Sequence, residues 1–231
     1  MVTKQVLLLD SYLNFISKRG ISMKVLLVNG SPNEQGCTYT ALAEIAKTLE
    51  GQGVETEIFH IGNKPVRGCI GCGACRTSGK NKCVFEDDVV SVLTEKVKEA
   101  DGYVFGSPVY YASPNGAMMA IMDRLFFSAG KYMQYKPAAC IVSARRAGTT
   151  ATYDAMNKYI GINNMIMVPS NYWNMVHGSN PEDVKKDLEG LQIMRTIGNN
   201  MAWLLQLLEN GKNSGVVIPV AEDKIKTNFI R

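Results

Sequence analysis

Apolar and polar positions switch between two periods along this chain. Lys24 to Asn29 (KVLLVN) is a continuous apolar run of strand length that ends at Gly30-Ser31-Pro32-Asn33. Such a run suits a strand buried on both faces of a parallel sheet. From Thr38 to Glu50 the spacing turns helical, with Leu42, Ile45, Ala46 and Leu49 on one face and Gly51 and Gly53 closing it. Val54 to His60 alternates as a second strand, completing a βαβ unit. Asp87-Asp88 open a helix to about Ala100, because acids favour the positive helix N-terminus. Gly102 to Ser107 reads as a third strand and Pro114 to Phe127 as a Met- and Ala-rich helix. Ala138 to Ala144 reads as a fourth strand, Thr149 to Tyr159 as a helix and Met165 to Pro169 as a fifth strand. Asn180-Pro181-Glu182-Asp183 sets a cap, a proline and two acids at a helix start. Val184, Leu188, Leu191, Met201, Leu204, Leu205 and Leu208 mark the buried face of that helix, which runs to Asn210-Gly211. Val216 to Val220 is a candidate edge strand.

Five strands alternating with helices predict an open, doubly wound parallel sheet in an α/β domain. Right-handed crossovers leave few topologies. Ligands in such sheets bind beyond the carboxyl ends of the strands. The loops after strands one, three and four are therefore the ones to inspect.

The 231 residues suffice for one well-cored domain, expected over 23–231, preceded by an extension over 1–22. Val6 to Leu9 is apolar but too short and wrongly flanked for a signal peptide. An additional helix or an upstream start is expected there, with a dimer-capping arm as the alternative. No apolar run approaches the roughly 20 residues that span a bilayer. The net charge of +4 carries no dense basic run and no aromatic-studded basic motif, so neither nucleic acid nor membrane is expected as a partner. It suits an anionic small ligand. Six cysteines stand beside two histidines, and Cys69, Cys72, Cys75 and Cys83 share one window. Without a secretory signal, such a cluster in a cytoplasmic protein reads as metal or redox chemistry.

The loop from Gly30 to Thr40 joins a strand to a helix N-terminus, where unpaired N–H groups attract phosphate. It has no Gly-Lys-Ser/Thr and no Gly-x-Gly-x-x-Gly, and strand two ends in Phe59-His60 rather than an acid. Triphosphate and dinucleotide fingerprints are both excluded. The hydroxyls of Ser31, Thr38 and Thr40 can bond a monophosphate without a fixed cation, as flavin mononucleotide is commonly held. A plain N-terminal cap is the bland alternative.

Lys24 to Pro32 with Gly36, Thr38 and Leu42, the cysteine loop, and Gly106-Ser107-Pro108-Val109-Tyr110-Tyr111 with Asn115 to Asp123 resemble the NADPH-dependent FMN reductases and iron–sulfur flavoproteins. The resemblance implies a flavodoxin-like fold of three layers, α/β/α, with strand order 2-1-3-4-5 and FMN at the carboxyl edge. It implies that Ser31, Asn33, Gly36, Cys37 and Thr38 hold the phosphate. Many relatives have Arg at position 33 and Asn at position 37, so this cradle is less cationic. It places Pro108, Val109, Tyr110 and Tyr111 against the isoalloxazine; by themselves the tyrosines read as core caps. Ser143, Ala144, Arg145, Gly148 and Thr149 follow strand four, where the last two can line the ring. Arg145 and Arg146 can bond its pyrimidine edge or the phosphates of NAD(P)H. Tyr172 and Trp173 read as core or subunit interface. The resemblance also implies a homodimer or homotetramer, for which the helix at 114–127 offers an apolar surface.

Cys69-x2-Cys72-x2-Cys75-x7-Cys83, with Gly68, Gly71 and Gly73, lets a loop wrap one compact object. Cys-rich loops of this kind hold iron–sulfur clusters, and the iron–sulfur flavoproteins carry a similar motif for a [4Fe–4S] cluster. Zinc is the metal alternative, although structural zinc more often uses two separated pairs. Similar reductases also keep some of these cysteines without a cluster. No catalytic triad or carboxylate pair is present. The expected activity is a flavin shuttle between NAD(P)H and a quinone, a nitro- or azo-aromatic, free flavin or a cluster. Its alternatives are an electron carrier lacking its own NAD(P)H site and a non-enzymatic redox or metal sensor.

Overall fold

The computed structural model describes residues 23–220 together with Glu222, Ile225, Thr227 and Phe229. The expected extension over 1–22 lies outside the described residues.

The chain runs β1 (Lys24–Asn29), α1 (Cys37–Glu50), β2 (Glu55–His60), α2 (Ala74–Thr77), α3 (Val89–Glu99), β3 (Gly102–Tyr110) and β4 (Ser113–Pro114). It continues α4 (Gly116–Ala129), β5 (Pro137–Ala144), α5 (Thr149–Ile162), β6 (Ile166–Met167), β7 (Met175–His177), α6 (Pro181–Lys186) and α7 (Leu188–Asn213). The sheet order is β2-β1-β3-β5-β6, parallel throughout, with β4 folded antiparallel onto β3 and β7 parallel to β5. Since β4 is a hairpin off this path, the order is the expected 2-1-3-4-5, and the fold is flavodoxin-like.

The central strands are apolar on both sides because both sides are covered. Leu26, Val28, Tyr103, Phe105, Cys140 and Val142 face a core shared with α3, α4 and α5. Their neighbours Val25, Leu27, Val104, Ala139 and Ile141 face α1, α6 and α7. This alternation is the period of two intrinsic to a strand. Strand β2, at the edge, is half-exposed and carries Glu57, which pairs with Lys24 and Lys96.

Several boundaries depart from the sequence reading. The third strand runs on to Tyr110 and turns back through Tyr111 and Ala112. Helix α4 thus starts after Asn115, whose Oδ1 accepts from the Met118 N–H at 2.7 Å. The fifth strand is split. Residues Ile166–Met167 pair with the start of β5 and Met175–His177 with its end. The expected helix from residue 180 breaks at Asp187, whose side chain accepts from Gly190 N at 2.9 Å and from His177 N at 2.7 Å. An N-cap anchored to a neighbouring strand starts a new helix there. Residues 216–220 form no strand. No helix among the described residues is long and apolar enough to cross a membrane.

Candidate functional site

Buried Asn29, the last residue of β1, shapes the loop that follows. Its Oδ1 accepts from Ser31 N at 3.1 Å and its Nδ2 donates to Glu34 O at 2.9 Å. Ser31 Oγ accepts from Asn33 N at 3.1 Å, and His60 Nε2 bonds Ser31 O at 2.9 Å from behind. Gly30 donates to Gly106 O at 2.8 Å, and a Cβ on Gly30 would meet that oxygen at 2.6 Å. The loop is thereby pinned to β3 by backbone. It delivers the chain to α1, whose N-cap is Gly36, with no side-chain cap and no acid in the first turn. The first N–H groups of this helix are therefore free of side-chain carboxylates or hydroxyls, which is what an anion needs.

The carboxyl-edge residues expected from the sequence converge, with distinctions among them. Thr38 and Ser143 are buried, and their hydroxyls lie 2.9 Å apart, joining the first loop to the end of β5. Thr40 Oγ1 donates back to Gly36 O at 3.1 Å, which commits its proton to the helix. The Cys37 thiol points away from the loop toward Gly178 O at 3.5 Å, and burial pushes its pKa up. Only the backbone of Cys37 is thus turned to the cradle. Asn33 and Arg145 are exposed.

The hairpin after β3 was not legible in the sequence. Tyr111 and Ala112 both adopt positive φ, 51° and 57°, as a two-residue primed turn requires. Such turns normally use Gly or Asn, and a bulky residue held there costs about 1–3 kcal/mol. Strain of this kind is concentrated at ligand sites. Tyr111 projects fully into solvent. Gly148, at φ 89°, packs so closely on this turn that a Cβ would meet Ala112 Cα at 2.8 Å. The loops after β3 and β5 therefore abut. Asn115 ties in the remaining one, donating from Nδ2 to Gly30 O. A cavity of about 180 Å³ opens beside these loops, lined by Pro32, Ile61, Lys64, Tyr110 and Asn115. A second cavity, of about 580 Å³, lies at the amino ends of the strands around Met23, Lys136 and Pro137. It is larger but far from these loops, so volume alone does not locate the chemistry.

The cysteine window lies between β2 and α3. Gly71 and Gly73 take positive φ, and α2 is a single turn inside the window. Cys69 and Cys72 are exposed, while Cys75 and Cys83 are half-buried. Burial raises the Cys75 thiol. All four cysteines line one cavity of about 150 Å³, closed by Arg124, Phe127 and Ser128 of α4. The donor set, four thiols around one hollow, fits a thiophilic metal or cluster. Among the described residues no three His, Cys, Asp or Glu side chains stand together as a ready metal group.

Residues 23–180 match the family model described as NADPH-dependent FMN reductase. An iron–sulfur flavoprotein of Methanocaldococcus jannaschii is 32% identical over 195 residues, covering 81% of this chain and all of that protein. Among solved structures, RosB with bound 8-demethyl-8-formylriboflavin-5'-phosphate superposes with a TM-score of 0.64 at 16% identity, covering 91% of this chain and 94% of RosB. A flavodoxin from the domain Archaea superposes with a TM-score of 0.55 at 15% identity, covering 80% of this chain and 99% of that one. The structural likenesses carry the fold and the sequence matches carry the family: this chain is a flavoprotein of the NADPH-dependent FMN reductase family, akin to the iron–sulfur flavoproteins.

Proposed function

We propose that this protein is an FMN-dependent NAD(P)H oxidoreductase whose flavin lies across the carboxyl edge and whose cysteine window holds a [4Fe–4S] cluster. The observation that carries the flavin site is the convergence of three loops through the Thr38–Ser143 and Gly148–Ala112 contacts. The N–H groups at the start of α1, with Ser31 and Thr38, bind the phosphate; Asn33 and Gly36 complete the cradle. Pro108, Val109, Tyr110 and Tyr111 cover one side of the ring. Ala144, Arg145, Gly148 and Thr149 flank the other, where Arg145 favours the electron-rich pyrimidine edge. Bound FMN supplies hydride acceptance and one-electron release; the protein orients it and tunes it. Exposed Arg145 and Arg146 attract the nucleotide phosphates and leave the stacking face open. Cys69, Cys72, Cys75 and Cys83 are the cluster ligands.

Protein purified without oxygen is expected to show twin flavin bands with a broad shoulder, together with iron and acid-labile sulfide. Absence of flavin after FMN is added would falsify the central reading. A second reading is an electron-transfer flavoprotein without its own NAD(P)H site, since the name of the iron–sulfur flavoprotein relative mentions no nicotinamide. Stopped-flow mixing with NADPH separates the two. Rapid flavin bleaching marks the reductase, and none marks the carrier.

A further inference from the structure

One charged residue, Arg124, sits on the buried face of α4 with its side chain wholly shielded from solvent. An aliphatic side chain would fill that face with no charge to desolvate, whereas a buried guanidinium is tolerated only when fully partnered. Arg124 is fully partnered, and every partner belongs to the segment around the cysteines. Nε donates to Cys83 Sγ at 3.2 Å. Nη1 donates to Arg67 O at 3.1 Å and to Asp88 Oδ2, and Nη2 donates at 3.0 Å to both Phe85 O and Asp88 Oδ1. These contacts use all five N–H groups of the fork. Arg67 lies just before Cys69 and Phe85 just after Cys83, so the guanidinium clamps both ends of the cysteine window. Asp88 in turn caps α3 through Val90 N at 3.0 Å, fixing the clamp to regular structure.

We propose that Arg124 is the positioning residue of the cysteine window: it holds the two ends together and, by donating to the Cys83 sulfur, sets the retention and the reduction potential of a cluster bound there. The inference rests on the cluster reading given above. An N–H···S bond withdraws electron density from a ligating thiolate, which stabilises the reduced, more negative state and raises the potential. The bidentate Asp88 carboxylate cancels the guanidinium's net charge. The directed hydrogen bond therefore carries the effect.

Arg124→Met alone leaves the Asp88 carboxylate unpaired and risks misfolding, so two other variants carry the test. Arg124→Lys keeps the charge but cannot reproduce the fork. Arg124→Met with Asp88→Asn removes the pair as a unit while keeping a capping side chain. FMN content and the melting curve report whether each variant is folded. Wild-type and variant proteins are loaded with iron and sulfide without oxygen, and the cluster is titrated against dye mediators. Both folded variants are expected to lose iron or to hold it at a lower potential, by at least a tenfold shift in the one-electron equilibrium, about 59 mV. Iron retained at the wild-type potential in both variants overturns the inference. Wild-type protein that takes up no iron or sulfide sinks the cluster reading instead. In that event alkylation of the metal-free thiols tests the clamp by itself. Cys83 should react about tenfold faster in the double variant than in wild type, with Cys69 and Cys72 unchanged; an unchanged Cys83 rate overturns the clamp.

Discussion

The two candidate sites are built in opposite ways. The carboxyl-edge site is made of strand ends, and its parts are joined by backbone contact, Gly30 to Gly106 and Gly148 to Ala112, reinforced by the Thr38–Ser143 and Asn115–Gly30 hydrogen bonds. The sheet registers beneath fix those contacts. The cysteine window is an irregular excursion between β2 and α3, and its two ends meet on the buried Arg124 guanidinium, beside the stacking of Arg67 on Phe85. A site resting on sheet register loses less of its framework when any one side chain is removed. A site whose ends meet on one buried guanidinium is more sensitive to such a loss. Side-chain deletion should therefore be most damaging at the window, and added bulk most damaging at the carboxyl edge.

The largest effect is expected from Arg124→Met. Removing one partner of a buried ion pair costs about 3–5 kcal/mol. Asp88 keeps 18% of its side chain exposed, which moves the expectation to the lower end of that range. Urea unfolding should show the loss; a change under 1 kcal/mol would mean that the window is held by something else. Gly30→Ala comes next. Its new Cβ would meet the Gly106 carbonyl at 2.6 Å and Met118 Sδ at 2.8 Å, and β3 cannot yield without shearing the sheet. Overpacking of this kind costs about 1–3 kcal/mol. Because the displaced loop leads into α1, FMN affinity should fall with it. Retained affinity in a destabilised variant would separate the loop from the flavin site.

That contrast also explains what the sequence made legible. The central strands β1, β3 and β5 are apolar on both faces, so their runs stand out with no knowledge of their neighbours. The loops at their carboxyl ends follow from the topology. The Tyr111-Ala112 turn did not, because neither residue favours positive φ and the neighbouring contact with Gly148 decides the conformation. Arg124 was equally hidden. A single arginine in a Met-rich helix reads as solvated, and its partners lie 36 to 57 residues away in sequence. Asp187 did carry a local signal, an acid three residues before Gly190, but continuous apolar spacing on both sides masked the break. The split of the fifth strand likewise arises from pairing with the two halves of β5.

Thr38→Val sharpens the comparison at the carboxyl edge. The substitution conserves shape and removes one hydroxyl, leaving buried Ser143 without its partner at 2.9 Å. A lost hydrogen bond of this type costs about 1 kcal/mol. If Thr38 also bonds the phosphate, FMN should bind about tenfold more weakly, which corresponds to roughly 1.4 kcal/mol. A fluorescence titration measures this. Equal affinity at reduced stability would leave the phosphate to Ser31 and the helix N–H groups.

The smallest effect is expected at the edge strand, away from both sites. Burial tends to raise the Glu57 carboxyl, but hydrogen bonds from Lys96 and Lys24 outweigh it and hold its pKa below the ordinary carboxylate value. A lowered folded-state pKa means that the unfolded chain binds the proton more readily, so acid favours unfolding. The stabilisation is complete above the unfolded value, about pH 4.3. It is lost as pH falls from there through the folded-state pKa. Glu57→Gln abolishes this term. The variant should be slightly less stable than wild type at pH 7, and the two should converge as pH is lowered below about 4.3. Because Glu57 keeps 28% of its side chain exposed, solvent screens the pair and the gap should stay near that of surface ion pairs, about 0–1 kcal/mol. Thermal melts across pH measure the gap. One that persisted unchanged into acid would show that Glu57 acts through packing on Lys24 and Lys96 rather than through charge.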